Sequence, residues 1–89
     1  MELTFNKVKD KYEAEFEITN DANLHIEFKG ATPIKLYQKT AGNNWDLVTD
    51  SKKQISDVMD VDLVALVYPK WIKVVSEVEV TMGVVTFNA

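Results

Sequence analysis

From Tyr12 to Phe28 the chain alternates apolar and polar residues with a period of two, and this limits its fold more than any other feature. Tyr12, Ala14, Phe16 and Ile18 are interleaved with Glu13, Glu15, Glu17 and Thr19. Leu24, Ile26 and Phe28 are interleaved with His25 and Glu27 in the same way. Successive side chains of a strand point to opposite faces, so each run predicts a strand with one buried and one wet face. Asn20-Asp21-Ala22-Asn23 separates the two runs. Asn and Asp tolerate positive φ and bond their own backbone, which predicts a hairpin turn there.

The same signal continues along the chain. Glu2 to Val8 reads as an opening strand, set off from the next by Lys9-Asp10. Lys29-Gly30-Ala31-Thr32-Pro33 reads as a breaker, after which Ile34 to Thr40 resumes alternation. Ala41-Gly42-Asn43-Asn44 is a turn, and Trp45 to Asp50 a further strand. Ser51 to Val67 fits neither helical nor strand period cleanly. The expectation there is a short strand near Ile55 to Met59, then a crossover with one helical turn at Asp62 to Leu66. Pro69 closes it, because proline cannot donate into a central ladder. Trp71 to Ser76 and Val78 to Phe87 complete the set, the last bent by a bulge at Met82-Gly83. Seven or eight short strands with turns between them and no long helix predict a single antiparallel β-sandwich over residues 1–89. A small barrel is the other closed solution.

Composition narrows the function classes. Formal net charge is −4, and every basic residue is a lysine. Sequence-specific DNA contacts depend on the planar guanidinium, and nucleic-acid affinity depends on neutralising phosphates, so nucleic acid is not an expected partner. There is no cysteine, which excludes disulfides and thiolate metal sites within the chain. MELTFNKV has neither a basic n-region nor an apolar h-region, so synthesis and folding in a cytoplasm are expected. The apolar run Leu63 to Tyr68 is far shorter than the ~18 residues of a spanning helix, and no membrane partner is expected.

Candidate chemistry is sparse. His25 lies beside Glu27 on the polar face of its strand. Nucleophilic catalysis would need an activated serine and an orienting acid converging on it, and no motif places Ser51, Ser56 or Ser76 for that role. Asp57, Asp60 and Asp62, with Asp50 upstream, could offer carboxylates to calcium from an irregular loop. Their spacing matches no EF-hand, and solubilising loop acids are the expectation. Glu13, Glu15 and Glu17 stand ~6.5–7 Å apart in one row rather than across a cleft, which suits cross-strand pairing with lysines better than acid–base work. No catalytic residue, metal or cofactor is therefore expected. Phe5, Phe16, Phe28 and Phe87 fit core positions, whereas Tyr37, between Lys35 and Lys39, and Trp71, in phase with Lys73, fall on the polar faces of their strands. Such rings serve as partly covered core, as anchors of a protein contact, or as stacking platforms for a ligand. Trp71, Tyr37 and Lys73 are the candidate interaction residues.

The order of segments also resembles a known group. An opening strand leads to YEAEFEI, a turn into LHIEFKG, then PIKLYQKTAGNNWDLV as strand, turn and strand. An acidic loop follows, then YPKWIKVVSEVEV and a closing VVTF. This order is similar to small auxiliary or decoration-type virion proteins of tailed bacteriophages, in particular those of crAss-like gut phages. Its best-matching pieces are LYQ, Leu36 to Gln38, and YPKWIKVVSE, Tyr68 to Glu77. The resemblance implies a non-enzymatic β-sandwich made in the host cytoplasm and attached to the capsid or another virion component; the surface around Trp71 and Tyr37 is expected to contact such a protein or another copy of the chain. It transfers no site residues. A carbohydrate-binding or adhesion module stacking sugars on Trp71, Tyr37 or Trp45 is the alternative, and a small enzyme a third.

Overall fold

The computed structural model describes residues 1–39, 44–50, 56–64 and 68–88. Its eight strands are β1 (Asn6–Val8), β2 (Lys11–Ile18), β3 (Ala22–Thr32), β4 (Ile34–Lys39), β5 (Asp46–Asp50), β6 (Ser56–Leu63), β7 (Lys70–Ser76) and β8 (Val80–Phe87). They form two antiparallel sheets, one of order β1-β2-β7-β4-β5 and one of order β6-β3-β8. The architecture is that of a β-sandwich, as the alternation predicts.

The buried faces follow the period-2 pattern strictly. Ala14, Phe16 and Ile18 of β2 meet Ile72 and Val74 of β7 and Ile34 and Leu36 of β4 on the inner face of the larger sheet. Leu24, Ile26 and Phe28 of β3, Met59 and Leu63 of β6 and Val85 of β8 supply the other inner face. A slip of one residue would turn each strand's apolar set into water, which is why register is strongly specified here. Glu13, Glu15 and Glu17 consequently point outward.

Several local expectations are corrected. Asn20-Asp21 does not close a hairpin, because β2 and β3 belong to different sheets. The segment is an arch between layers, tied by Asn20 Nδ2 donating to the Asn88 carbonyl at 3.0 Å and by Asn88 N donating to that of Asp21 at 2.9 Å. The Tyr68 hydroxyl donates to the Asp21 carboxylate and pins the arch further. The stretch from Lys29 to Thr32 is not a breaker, for β3 runs through it and turns only at Pro33. There the fully buried Thr32 donates from Oγ1 to the Pro33 carbonyl at 3.0 Å and accepts from Glu77 N at 3.3 Å, holding the corner where the chain changes sheet.

The second half needs similar revision. Asp62 and Leu63 end β6 rather than start a helical turn. Ala65, Leu66 and Val67, like Ile55, Ser51 and Ala41 to Asn43 of the turn expected at Ala41 to Asn44, lie outside the described residues. Gly83 pairs in register with Ile26, and the irregularity of β8 sits nearer Thr81, between Val80 and Met82. Phe87 is not a core residue but an exposed ring at the end of an edge strand. The opening segment is divided between sheets. Val85 N donates to the Met1 carbonyl and Leu3 N to that of Gly83, each at 2.8 Å, before the chain crosses over to form β1. Leu3 and Phe5 pack against the core during that crossing. The β1–β2 hairpin turns at Lys9-Asp10 as expected, with Lys9 at φ 58°.

Candidate functional site

The outer face of the five-stranded sheet collects the residues singled out from sequence. Cross-strand pairing sets them in three levels across β2, β7 and β4: Glu13–Val75–Lys35, Glu15–Lys73–Tyr37 and Glu17–Trp71–Lys39. Read down the strands, an acidic column on β2 lies beside a mixed column on β7 and a lysine–tyrosine column on β4. Leu47 of β5 extends the second level beside Tyr37 and is half exposed. Trp71 is 39% exposed, whereas Ile72, its neighbour, is 3% exposed on the opposite face. Trp71 is therefore a surface ring on the face opposite the core.

Lys73 decides the electrostatics of this face. It stands directly between Glu15 and Tyr37, and an ion pair with Glu15 is the simple expectation. Among the described residues, however, Glu13, Glu15 and Glu17 take part in none of the ion pairs. The Lys73 ammonium instead lies 5.2 Å from the centre of the Tyr37 ring and 4.9 Å from that of Trp45. Lys39 approaches the same Trp45 ring at 4.6 Å. Each such cation–π contact contributes about 0.5–1 kcal/mol at an exposed position. The outcome is a cluster of Tyr37, Trp45, Lys39 and Lys73 with its positive charge held on the β4 side, while the β2 carboxylates form no ion pair among the described residues. The structure places Tyr37, Lys73 and Trp71 on this one face. Lys39, beside Tyr37 on the same polar face, joins them, and the β4–β5 fold-back lays Trp45 over β4 against Lys39 and Lys73, a contact that the sequence did not announce.

The smaller sheet carries a different cluster. His25 on β3 is held from both sides, with Nε2 2.8 Å from Glu27 Oε2 and Nδ1 3.3 Å from Asp60 Oδ2. Asn23 Nδ2 donates to Asp60 Oδ1 at 2.8 Å and to Asp62 Oδ1 at 3.2 Å. Asp60 and Asp62 are thus outward-facing strand residues tied to β3, not loop acids, and Asp57 is exposed at the irregular start of β6. The described residues include no group of three His, Cys, Asp or Glu arranged to hold a metal ion. The Glu27 and Asp60 hydrogen bonds raise the His25 pKa above its ordinary value, and those from Asn23 and His25 lower that of Asp60. A raised imidazole pKa stabilises the fold fully below the unfolded value of about 6.5 and loses that contribution as pH rises through the folded value. The lowered Asp60 pKa acts the other way, its contribution being present above the ordinary carboxyl value and lost in acid. Stability should accordingly fall as pH rises above about 6.5, and His25→Gln should flatten that slope in thermal melts. An unchanged slope in the variant would show that the cluster does not carry it.

Among the described residues, the side-chain partners of His25 are Glu27 and Asp60, and no serine is among them. The Ser76 hydroxyl is buried, donating to the Val78 carbonyl at 2.7 Å and accepting from Val78 N at 3.0 Å. Ser56 starts β6 beside Thr32, and Ser51 lies outside the described residues. A cleft of about 250 Å³ opens between the sheets over Ile18, Leu36, Leu63 and Ile72, with Lys70 Nζ donating to Gln38 Oε1 at 3.1 Å on its wall. Its lining is apolar apart from that amide, that ammonium and Asp62.

No family model matches the chain, and neither the curated proteins nor the solved structures contain a match to it.

Proposed function

We propose that this chain is a non-enzymatic docking protein, an auxiliary or decoration-type component of a tailed-phage virion, that binds a protein partner through the outer face of its five-stranded sheet. The observation that carries the reading is the exposed Trp71 beside the Tyr37–Trp45–Lys39–Lys73 cluster on one sheet face. Trp and Tyr are enriched at protein interfaces, where they anchor contacts, and an exposed apolar surface rimmed by charge marks such sites. The virion setting, with synthesis in the host cytoplasm, comes from the sequence resemblance carried by LYQ and YPKWIKVVSE. Stacking of sugars is less favoured, because lysine ammonium groups already lie over the Tyr37 and Trp45 rings.

Virions of the phage that carries the gene, stripped of this protein, supply the test. Trp71→Ala and Tyr37→Ala should fold yet rebind at least about 30-fold more weakly, the loss expected for an anchor worth 2 kcal/mol or more. Rebinding equal to that of the unaltered protein would overturn the reading. Loss of binding to a glycan array, with virion binding intact, would transfer the face to the sugar-binding alternative.

A further inference from the structure

We propose that the first partner of this face is a second copy of the chain, packed sheet to sheet about a two-fold axis that runs along β7. The inference rests on the docking reading above and names its partner. It follows from the order of the three columns. Glu13, Glu15 and Glu17 stand on β2, on one side of β7, and Lys35, Tyr37 and Lys39 stand at the same three levels on β4, on the other side.

Only one face-to-face arrangement uses this pattern. A two-fold axis across the strands would lay β2 on β2 and put three carboxylates against three carboxylates. An axis parallel to the strands exchanges left and right while keeping the level. It sets Glu13 over the second copy's Lys35, Glu15 over its Tyr37 and Glu17 over its Lys39. The symmetry makes each contact twice, as an isologous interface must. Levels on one strand face are ~6.5–7 Å apart in both columns, so the pairs match in spacing as well as in order. Sheets packed face to face also keep their strands within about 30° of one another, which this axis permits.

Two further observations agree with that arrangement. The β2 carboxylates take no ion-pair partner within the described residues, although Lys73 stands opposite Glu15. Trp71 and Lys73 lie on the axis strand, where each would meet its own counterpart. For Trp71 that gives an aromatic anchor on the axis, near one end of β7. For Lys73 it would be repulsive, but its ammonium is drawn aside over Tyr37 and Trp45. The footprint of five strands is roughly 24 Å by 20 Å, about 480 Å² per copy, at the weak end of specific interfaces. Dimerisation should therefore depend on concentration and weaken with added salt.

Sedimentation equilibrium on the full chain, from micromolar to millimolar protein at low salt, tests this directly. The unaltered protein should pass from monomer to dimer and no further. A variant with Glu13→Lys, Glu15→Lys and Glu17→Lys should remain monomeric, as should one with Lys35→Glu and Lys39→Glu. All five positions lie on the outward face, so circular dichroism should report a native sheet in both. Mixed together, the two variants should dimerise, because each now carries on both columns the charge that the other needs. A monomer at every concentration, a variant that still self-associates, or a mixture that stays monomeric would overturn the dimer. If Trp71→Ala abolishes virion binding while the unaltered protein is always monomeric, docking stands and the dimer alone falls. A dimer that binds no virion leaves this inference intact and removes the virion reading.

Discussion

Ile72→Ala is expected to cost about 2–5 kcal/mol of folding stability, whereas Trp71→Ala, one residue away, should cost only about 1–2 kcal/mol. The smaller side chain gives the larger loss because of where it points. Ile72 is 3% exposed and packs between Phe16 and the inner face of the second sheet, so truncation leaves a cavity that a close-packed core cannot collapse onto. Trp71 lies on the wet face, and water fills the space it leaves. An 89-residue domain holds roughly 4–13 kcal/mol in total, so Ile72→Ala approaches the limit of folding at room temperature. Urea midpoints for the two variants check this. A Trp71→Ala loss equal to or greater than that of Ile72→Ala would return Trp71 to the core and remove the basis of the docking face.

Gly83→Val should be the most damaging glycine substitution in the chain's described part, and Gly30→Val close to neutral. A Cβ at Gly83 would stand 3.0 Å from Phe5 Cε1 and 3.3 Å from Leu3 Cβ. Valine adds two methyl groups to that contact. The opening segment would have to lift away from β8, giving up the 2.8 Å bond from Leu3 N to the Gly83 carbonyl and the packing of Leu3 and Phe5 on the core. Overpacking of this kind costs about 1–3 kcal/mol before the lost burial is counted. At Gly30 nothing lies within 4 Å of the added Cβ, so a side chain there meets open space. Hydrogen exchange gives the more specific readout. The Leu3 amide should lose protection in Gly83→Val and keep it in Gly30→Val. Retained protection in Gly83→Val would show that the segment accommodates the side chain.

The two glycines illustrate how far sequence reasoning reaches. Both looked like punctuation. Gly30 sits inside β3, which continues to Thr32, and Gly83 is needed because another piece of chain passes over it. Nothing near Gly83 in the sequence announces Leu3 and Phe5, some eighty residues away. The same applies to the acidic residues of β6. Asp60 and Asp62 resembled loop acids because Val61, Leu63 and Val64 blur the alternation, yet Asn23 and His25 hold both as strand residues. In the candidate site, Trp71, Tyr37 and Lys73 were legible from phase alone. The contact of Trp45 with Lys39 and Lys73 was not, because it spans a hairpin whose register is irregular between Leu36 and Tyr37.

Alternation by itself determined which side of each strand is buried. It placed Phe16, Ile18, Leu24, Ile26, Phe28, Leu36, Ile72 and Val74 inside and the three glutamates of β2 outside, and the structure agrees at every one. The reason is local: side chains two apart share a face whatever the strand's neighbours are. Which strands become neighbours is not local. Among the described strands, only β1–β2 and β4–β5 pair as adjacent hairpins, and the other ladders join segments far apart in the chain. Those partners are chosen by burying both apolar faces in one core, a condition that only the assembled sandwich satisfies. By placing β7 between β2 and β4, the tertiary structure turned scattered glutamates, lysines and rings into a face of ordered columns.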